Sequence, residues 1–232
     1  MSTAAEPSDA VLATLWSGPT GTKRGPKPRF SLDVIARAAI ELADVDGLDA
    51  VTMQRVAERL GTTKMALYRY VPGRAELDAV MLDRGLGPVS LPEPDQWRPG
   101  LEAWARAVHA RTARHPWSVE LTQRPHVPGP LELGWYEAGL SAMAPLPLSG
   151  AEKLDTLFLL VSHVLSIQRQ EAVPDPEAAL ARGIARIMDE HRADYPHTAT
   201  AFASSASGSG RALEFGIERI LDGVAALAAR RA

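Results

Sequence analysis

Apolar residues recur at helical spacing through most of the chain. Ile35, Ala38, Ala39, Leu42 and Ala43 mark one face of a first helix, which Ser31 can cap and Gly47 can end. Thr52 opens a second, short helix with Val56, Ala57 and Leu60 facing inward, and Gly61 breaks it. Thr63 caps a third helix carrying Leu67 and Val71, Pro72-Gly73 ends it, and a fourth follows with Leu77, Val80 and Met81 on its apolar face. Turns this short make a compact bundle. Further on, Leu101, Trp104, Ala105 and Val108 form another stripe, and 131–144, 151–170, 176–191 and 211–230 supply more helices. No segment alternates with a period of two, so the predicted fold class is all-α.

Two breaks interrupt this pattern. Residues 85–100 hold a proline or glycine at nearly every third position and read as a linker, and 195–210, small and polar, reads as a mobile loop. The expected organisation is therefore a disordered extension at 1–22, a helix-turn-helix domain of three or four helices at 23–84, the linker, and a larger helical domain at 101–232. There is no internal repeat and no heptad array.

Composition narrows the chemistry. The 232 residues include no cysteine, which removes disulfides, thiolate nucleophiles, Cys-ligated zinc and iron-sulfur clusters. The start of the chain lacks the basic and apolar pattern of a signal peptide. The most apolar stretch, 154–167, is interrupted by Asp155, Ser162 and His163, so it reads as a buried helix rather than a membrane span. A cytoplasmic protein with no membrane partner is expected. The net charge of -3 hides a basic arm, Lys23, Arg24, Lys27 and Arg29, with no acid among them, which suits phosphate.

The segment Thr52 to Val71 has helix-turn-helix mechanics: a short helix, a tight turn at Gly61, and a second short helix held by apolar contacts. Val56, Ala57, Leu60 and Leu67 build the platform. Thr63, Lys64, Met65 and Ala66 then face outward, where a recognition helix meets base edges. Lys64 suits guanine or phosphate, and Met65 and Ala66 suit thymine methyls. Tyr68, Tyr70 and Arg74 suit the DNA backbone. Thr52 and Gln54, opening the preceding helix, complete the candidate set. Met65, Tyr68 and Tyr70 also fit the core and rim of a helical domain that binds no DNA.

The run from Arg24 to Arg84 resembles the DNA-binding domain of the TetR (tetracycline-repressor-like) family. The markers are Ile35-Ala-Arg-Ala-Ala-Ile-Glu-Leu-Ala43, Gly47-Leu48, Thr52-Met53, Val56-Ala57, Leu60-Gly61 and Leu67-Tyr-Arg-Tyr-Val71. The resemblance implies an all-helical homodimer whose C-terminal domain binds a small-molecule effector and thereby releases a palindromic double-stranded operator. Residues 111–170 are similar to the C-terminal domain of the tetracycline-repressor branch, with Arg124-Pro125 and His163 in familiar places. Glu120 stands where that branch has its metal-binding histidine, and Glu171 falls near the glutamate that completes its magnesium site. Loss of the histidine implies a different effector, with no metal and no cofactor.

In the second domain, helix 151–170 is apolar on two sides: Leu154, Phe158, Val161 and Leu165 on one, Leu157, Leu160, Val164 and Ile167 on the other. The last helix carries a seam of Leu213, Ile217, Ile220, Val224 and Leu227, with Gly216 and Gly223 marking a close crossing. The two helices are expected to pair with their symmetry mates in a four-helix dimer interface. Trp104, His109, Trp117, Glu120, Arg124, Trp135, His163 and Gln168 are the effector-pocket candidates. Each has a plainer reading: core tryptophans, a Glu120–Arg124 surface pair, a hydrogen-bonded buried His163. Phosphate-loop, nucleophile-elbow and zinc-hydrolase patterns are missing, so an enzyme is not expected. The competing reading is a protein that sequesters a small molecule and has lost operator binding.

Overall fold

The structure, a computed structural model, describes residues 9–16, 30–89, 96–172, 176–205 and 211–231. Among these the chain is helical with no strand, as the period of its apolar positions predicts. The order is α1 (Asp9–Trp16), α2 (Leu32–Asp46), a 3₁₀ turn (Leu48–Ala50), α3 (Met53–Arg59), α4 (Lys64–Leu67), α5 (Arg74–Leu86), α6 (Trp97–Arg114), α7 (Trp117–Gln123), α8 (Pro130–Ala142), α9 (Gly150–Glu171), α10 (Pro176–His191), α11 (Pro196–Ser205) and α12 (Ala212–Ala229). The chain packs as two compact units, Met1–Ala144 and Pro145–Ala232.

In the first unit, cap chemistry starts the head helices. The Ser31 hydroxyl accepts from the Val34 amide at 3.3 Å, Thr52 from Arg55 at 3.1 Å and Thr63 from Ala66 at 3.2 Å. Each satisfies an amide that the first helical turn leaves without a partner. Gly47 (φ 83°) and Gly61 (φ 60°) take the left-handed backbone that ends α2 and turns α3 towards α4. Ile35, Val56, Ala57, Leu67, Val71, Leu77 and Met81 are wholly buried in one core, which Trp117 and Leu121 of α7 complete. Capping and apolar period thus fix the angle at which α4 leaves the head.

Several elements differ from the sequence reading. Asp9–Trp16, inside the stretch expected to be a disordered extension, is a helix: Val11 and Leu15, one turn apart, are buried against Ala36, Ala79 and Val80. Residues 1–8 and 17–29, with the basic arm Lys23, Arg24, Lys27 and Arg29, lie outside the described residues. Helix α7 has no counterpart in the sequence reading. The expected loop at 195–210 contains α11, started by Pro196 in its first turn and anchored by buried Ala199; 206–210 lie outside the described residues. The expected linker at 85–100 is helical at both ends, since α5 runs to Leu86 and α6 starts at Trp97.

The second unit is built on α9 against α12. The Ser149–Glu152 capping box starts α9. Leu157, Leu160, Val164, Leu165 and Ile167 of α9 are buried, as are Ile217, Leu221 and Val224 of α12. The crossing is close at Gly216, where a Cβ would lie 2.7 Å from His163 Cδ2 and nearer still to the rest of that imidazole edge. His163 Nε2 donates to the Leu213 carbonyl at 3.0 Å. A Cβ at Gly223 would meet nothing within 4 Å among the described residues, so of the two glycines it is Gly216 that marks the crossing.

Candidate nucleic-acid interface

The turn between α3 and α4 is held by its own backbone: Gly61 N–H donates to Glu58 O at 3.0 Å and Thr62 N–H to Ala57 O at 2.9 Å. What emerges is a single helical turn, Lys64–Leu67, anchored by buried Leu67 and presenting Thr63, Lys64 and Met65 to solvent with Ala66 half-buried. Met65 is 75% exposed, too much apolar surface for a core residue and well suited to thymine methyls. Lys64 Nζ sits 5.5 Å from the centre of the Tyr68 ring, which steadies the ammonium without burying it. Tyr68 and Tyr70 are half-buried against the head core, and Tyr70 meets Phe30 edge-on at 6.2 Å. Thr52 is exposed and spends its hydroxyl on the α3 cap. Gln54 is exposed and donates to Glu58 at 2.6 Å.

The basic residues of α3 turn away to α2, with Arg55 paired to Asp46 at 2.5 Å and Arg59 to Glu41 at 2.6 Å. These pairs orient α3 rather than add much stability.

Arg74 is the exception among the candidate DNA contacts. Its Nε donates to Asp78 at 2.6 Å, and its other two nitrogens donate to the Val51 carbonyl and, at 3.3 Å, to the Leu48 carbonyl. It faces the chain's own backbone.

Behind the head, α5 carries groups that sequence reasoning missed because their partners are distant in sequence. Asp83, wholly buried, accepts from the Leu131 and Glu132 amides at 2.9 Å each and so caps α8 from α5; it also pairs with Arg84, which reaches Asp33 of α2 at 2.8 Å. Burial pushes the Asp83 carboxyl above its usual range, against the Glu132 amide and Arg84, which favour the ionised form. Burial also raises Asp78, opposed by the hydrogen bond from Arg74. Asp44 of α2 accepts from His115 Nδ1 at 2.8 Å and Trp117 Nε1 at 2.7 Å, tying the head to α7.

His126 faces the Arg124 carbonyl at 2.8 Å and the Glu132 carboxyl at 3.0 Å, an arrangement that favours the ring protonated on both nitrogens. The Glu132 hydrogen bond raises its pKa above the ordinary value, outweighing burial. The one sequence signal for this network was an acid, Asp83, within the run of buried α5 positions.

Six of the eight effector-pocket candidates lie in the first unit, and His163 and Gln168 lie in the second. Trp104 Nε1 donates to Trp135 O at 2.8 Å and Trp135 Nε1 to Gly87 O at 2.9 Å, both indoles buried. Trp117 belongs to the head core. Glu120 and Arg124 form an exposed pair, and Arg124 also reaches Asp78 at 3.5 Å. His109 is half-buried on α6. His163 and Gln168 lie on α9 in the second unit, Gln168 buried with its amide donating to Glu171 at 3.2 Å. In α7 the buried Ser118 hydroxyl has no hydrogen-bond partner among the described residues.

A capped helix-turn-helix head whose outward turn carries a lysine and an exposed methionine, with helices built on behind it, defines a DNA-binding transcriptional regulator. Residues 35–81 match the family model described as bacterial regulatory proteins, tetR family, and 91–228 match that of the tetracyclin repressor-like C-terminal domain. The chain belongs to the TetR family. It is 34% identical to the HTH-type transcriptional repressor DrrR1 of Streptomyces coeruleorubidus, over 95% of this chain and 87% of that one. An HTH-type transcriptional regulator of Saccharopolyspora erythraea is 27% identical over 95% of each. Among solved structures, apo ActR of Streptomyces coelicolor superimposes with a TM-score of 0.78 at 24% identity, covering 90% of this chain and 100% of that one. ActR in complex with actinorhodin also gives a TM-score of 0.78, at 23% identity, covering 88% of this chain and 99% of that one. These likenesses show the fold.

Proposed function

We propose that the protein is a homodimeric repressor that leaves a palindromic operator when a small-molecule effector binds behind the reading head. The observation that carries this reading is the exposed Thr63–Ala66 turn on a head whose α5 is hydrogen-bonded to α7 and α8 elements. DNA contact falls to Thr63, Lys64, Met65 and Ala66 for the bases, with Gln54, Thr52, Tyr68 and Tyr70 at the edges.

Dimerisation is supported by the side chains that α9 and α12 leave exposed within the chain: Leu154, Phe158, Leu159 and Phe215. Paired heads one DNA turn apart, roughly 34 to 36 Å, match a two-fold operator. The effector site is proposed among α6, α7 and α8, with Trp104 and Trp135 as walls and His109, Glu120, Arg124 and the Ser118 hydroxyl as polar groups. The family and the relatives are regulators rather than enzymes. No described helix is long and apolar enough to cross a membrane, and the cytoplasm is the proposed location.

The test is selection of bound sites from random duplex DNA at about 0.15 M salt, a condition under which phosphate contacts alone bind weakly. An enriched near-palindrome supports the regulator and supplies the probe for effector screening. A folded, dimeric protein that enriches no sequence overturns it in favour of ligand sequestration.

A further inference from the structure

We propose that Arg74 is a positioning residue of the reading head, whose guanidinium fork fixes the turn from which α3 starts, and not a contact to the DNA backbone. The inference rests on the operator-binding reading above.

All three guanidinium nitrogens are engaged within the chain: Nε by Asp78 at 2.6 Å, one terminal nitrogen by the Val51 carbonyl, the other by the Leu48 carbonyl at 3.3 Å. The 3₁₀ turn closes its own hydrogen bond from Val51 N–H to Leu48 O at 3.1 Å, so Arg74 grips both ends of that turn from outside. The Val51 carbonyl belongs to the peptide that leads into Thr52, the α3 cap. Holding that peptide plane holds Thr52 in the extended conformation its capping bond requires (φ -129°, ψ 153°). The axis of α3, and with it the placement of α4, follows.

Asp78 presents its other oxygen to Arg124 at 3.5 Å, so two cations keep the carboxylate where it aims the Arg74 fork. Swinging out to a phosphate would give up three hydrogen bonds, while Lys64 stands exposed on the reading turn with no such cost. A planar fork spanning two carbonyls is geometry that lysine's single ammonium does not reproduce.

The test compares wild type, Arg74→Lys, Arg74→Ala and Asp78→Asn, each checked for helicity and dimer mass, on the selected operator and on nonspecific duplex across a salt series. A positioning role predicts that both Arg74 variants lose operator affinity about 10-fold or more while nonspecific affinity and the salt slope stay put, because phosphate contacts are intact. Asp78→Asn should show the same loss, and adding it to Arg74→Ala should cost little more. Full rescue by lysine, or an alanine variant whose salt slope falls by about 0.9, the value of one phosphate contact, overturns the proposal.

Amide exchange of the DNA-free protein reads the same claim independently. Removal of Arg74 should speed exchange in α3 relative to α2, and unchanged α3 exchange would refute positioning. If wild type selects no operator, the functional reading fails while this measurement still decides the role of Arg74.

Discussion

Gly216 separates two opposing effects that can be weighed against each other. Alanine in a helix interior is favoured over glycine by about 1 kcal/mol, so Gly216→Ala on open helix surface would stabilise the protein. Here the added methyl would enter the His163 ring, at 2.7 Å from Cδ2 and closer to the neighbouring atoms. Overpacking of this kind costs about 1 to 3 kcal/mol. Turning the ring aside instead forfeits its 3.0 Å hydrogen bond to Leu213 O, about 1 kcal/mol. Less the helix gain, the balance is a loss of up to about 2 kcal/mol, or up to about 4 to 8 °C in Tm for a chain of this size.

The assay is thermal unfolding at one fixed protein concentration, in a double-mutant cycle with His163→Ala. With the ring removed, the same Gly216→Ala change should become neutral or stabilising, a coupling of about 1 to 3 kcal/mol. A single variant that melts above wild type, or one that loses the same amount whether or not His163 is present, would refute the account of the α9–α12 crossing.

Other consequences follow from the network behind the head and from the second unit. His126 has a pKa raised above 6.5 by Glu132, so its stabilisation is complete below about pH 6.5 and is lost as pH climbs through the raised value. Melting curves between pH 6 and about pH 8.5 should show that decline in wild type and a flatter profile in His126→Gln; parallel profiles would count against the imidazolium. Asp83→Ala strips the acceptor from one buried and one part-buried amide at the start of α8, at about 1 to 3 kcal/mol for the buried one, and amide exchange at Leu131 and Glu132 should accelerate; protected amides would contradict the capping role. Phe158→Asp, placing a charge on the exposed face of α9, should convert a dimer to monomer in light scattering at micromolar concentration, and an unchanged mass would remove α9 from the interface.

Legibility in the sequence tracked the range of the interactions. Caps are local, so Ser31, Thr52 and Thr63 were readable from the residues beside them. Long amphipathic helices were readable from period, and α10 was bounded correctly from Pro176 to His191. Short helices were not: α1 and α7 span eight and seven residues, too few turns for a period to emerge, and both owe their burial to elements elsewhere in the chain. The polar composition of α11 hid it among turn-formers. The intrachain contacts of Arg74 are hidden for a related reason. An arginine after a reading helix suits phosphate by type, whereas the carbonyls it holds lie 23 and 26 residues earlier. Pocket candidacy rests on residue type in helices expected to surround a ligand, and residue type does not tell Trp117, packed in the head core, from Trp104.

Because Trp117 and Leu121 fill the head core from a helix some thirty residues beyond α5, the head is not a cassette that ends where its own helices end. A hybrid regulator spliced after Leu86 would carry a head lacking two core side chains and would graft a foreign α7 onto it. A splice at Ala144, where the first compact unit closes, keeps those side chains with the core they complete. The same overlap gives α7 a double liability under random mutagenesis: variants there would be recovered for altered operator affinity without touching a single base pair.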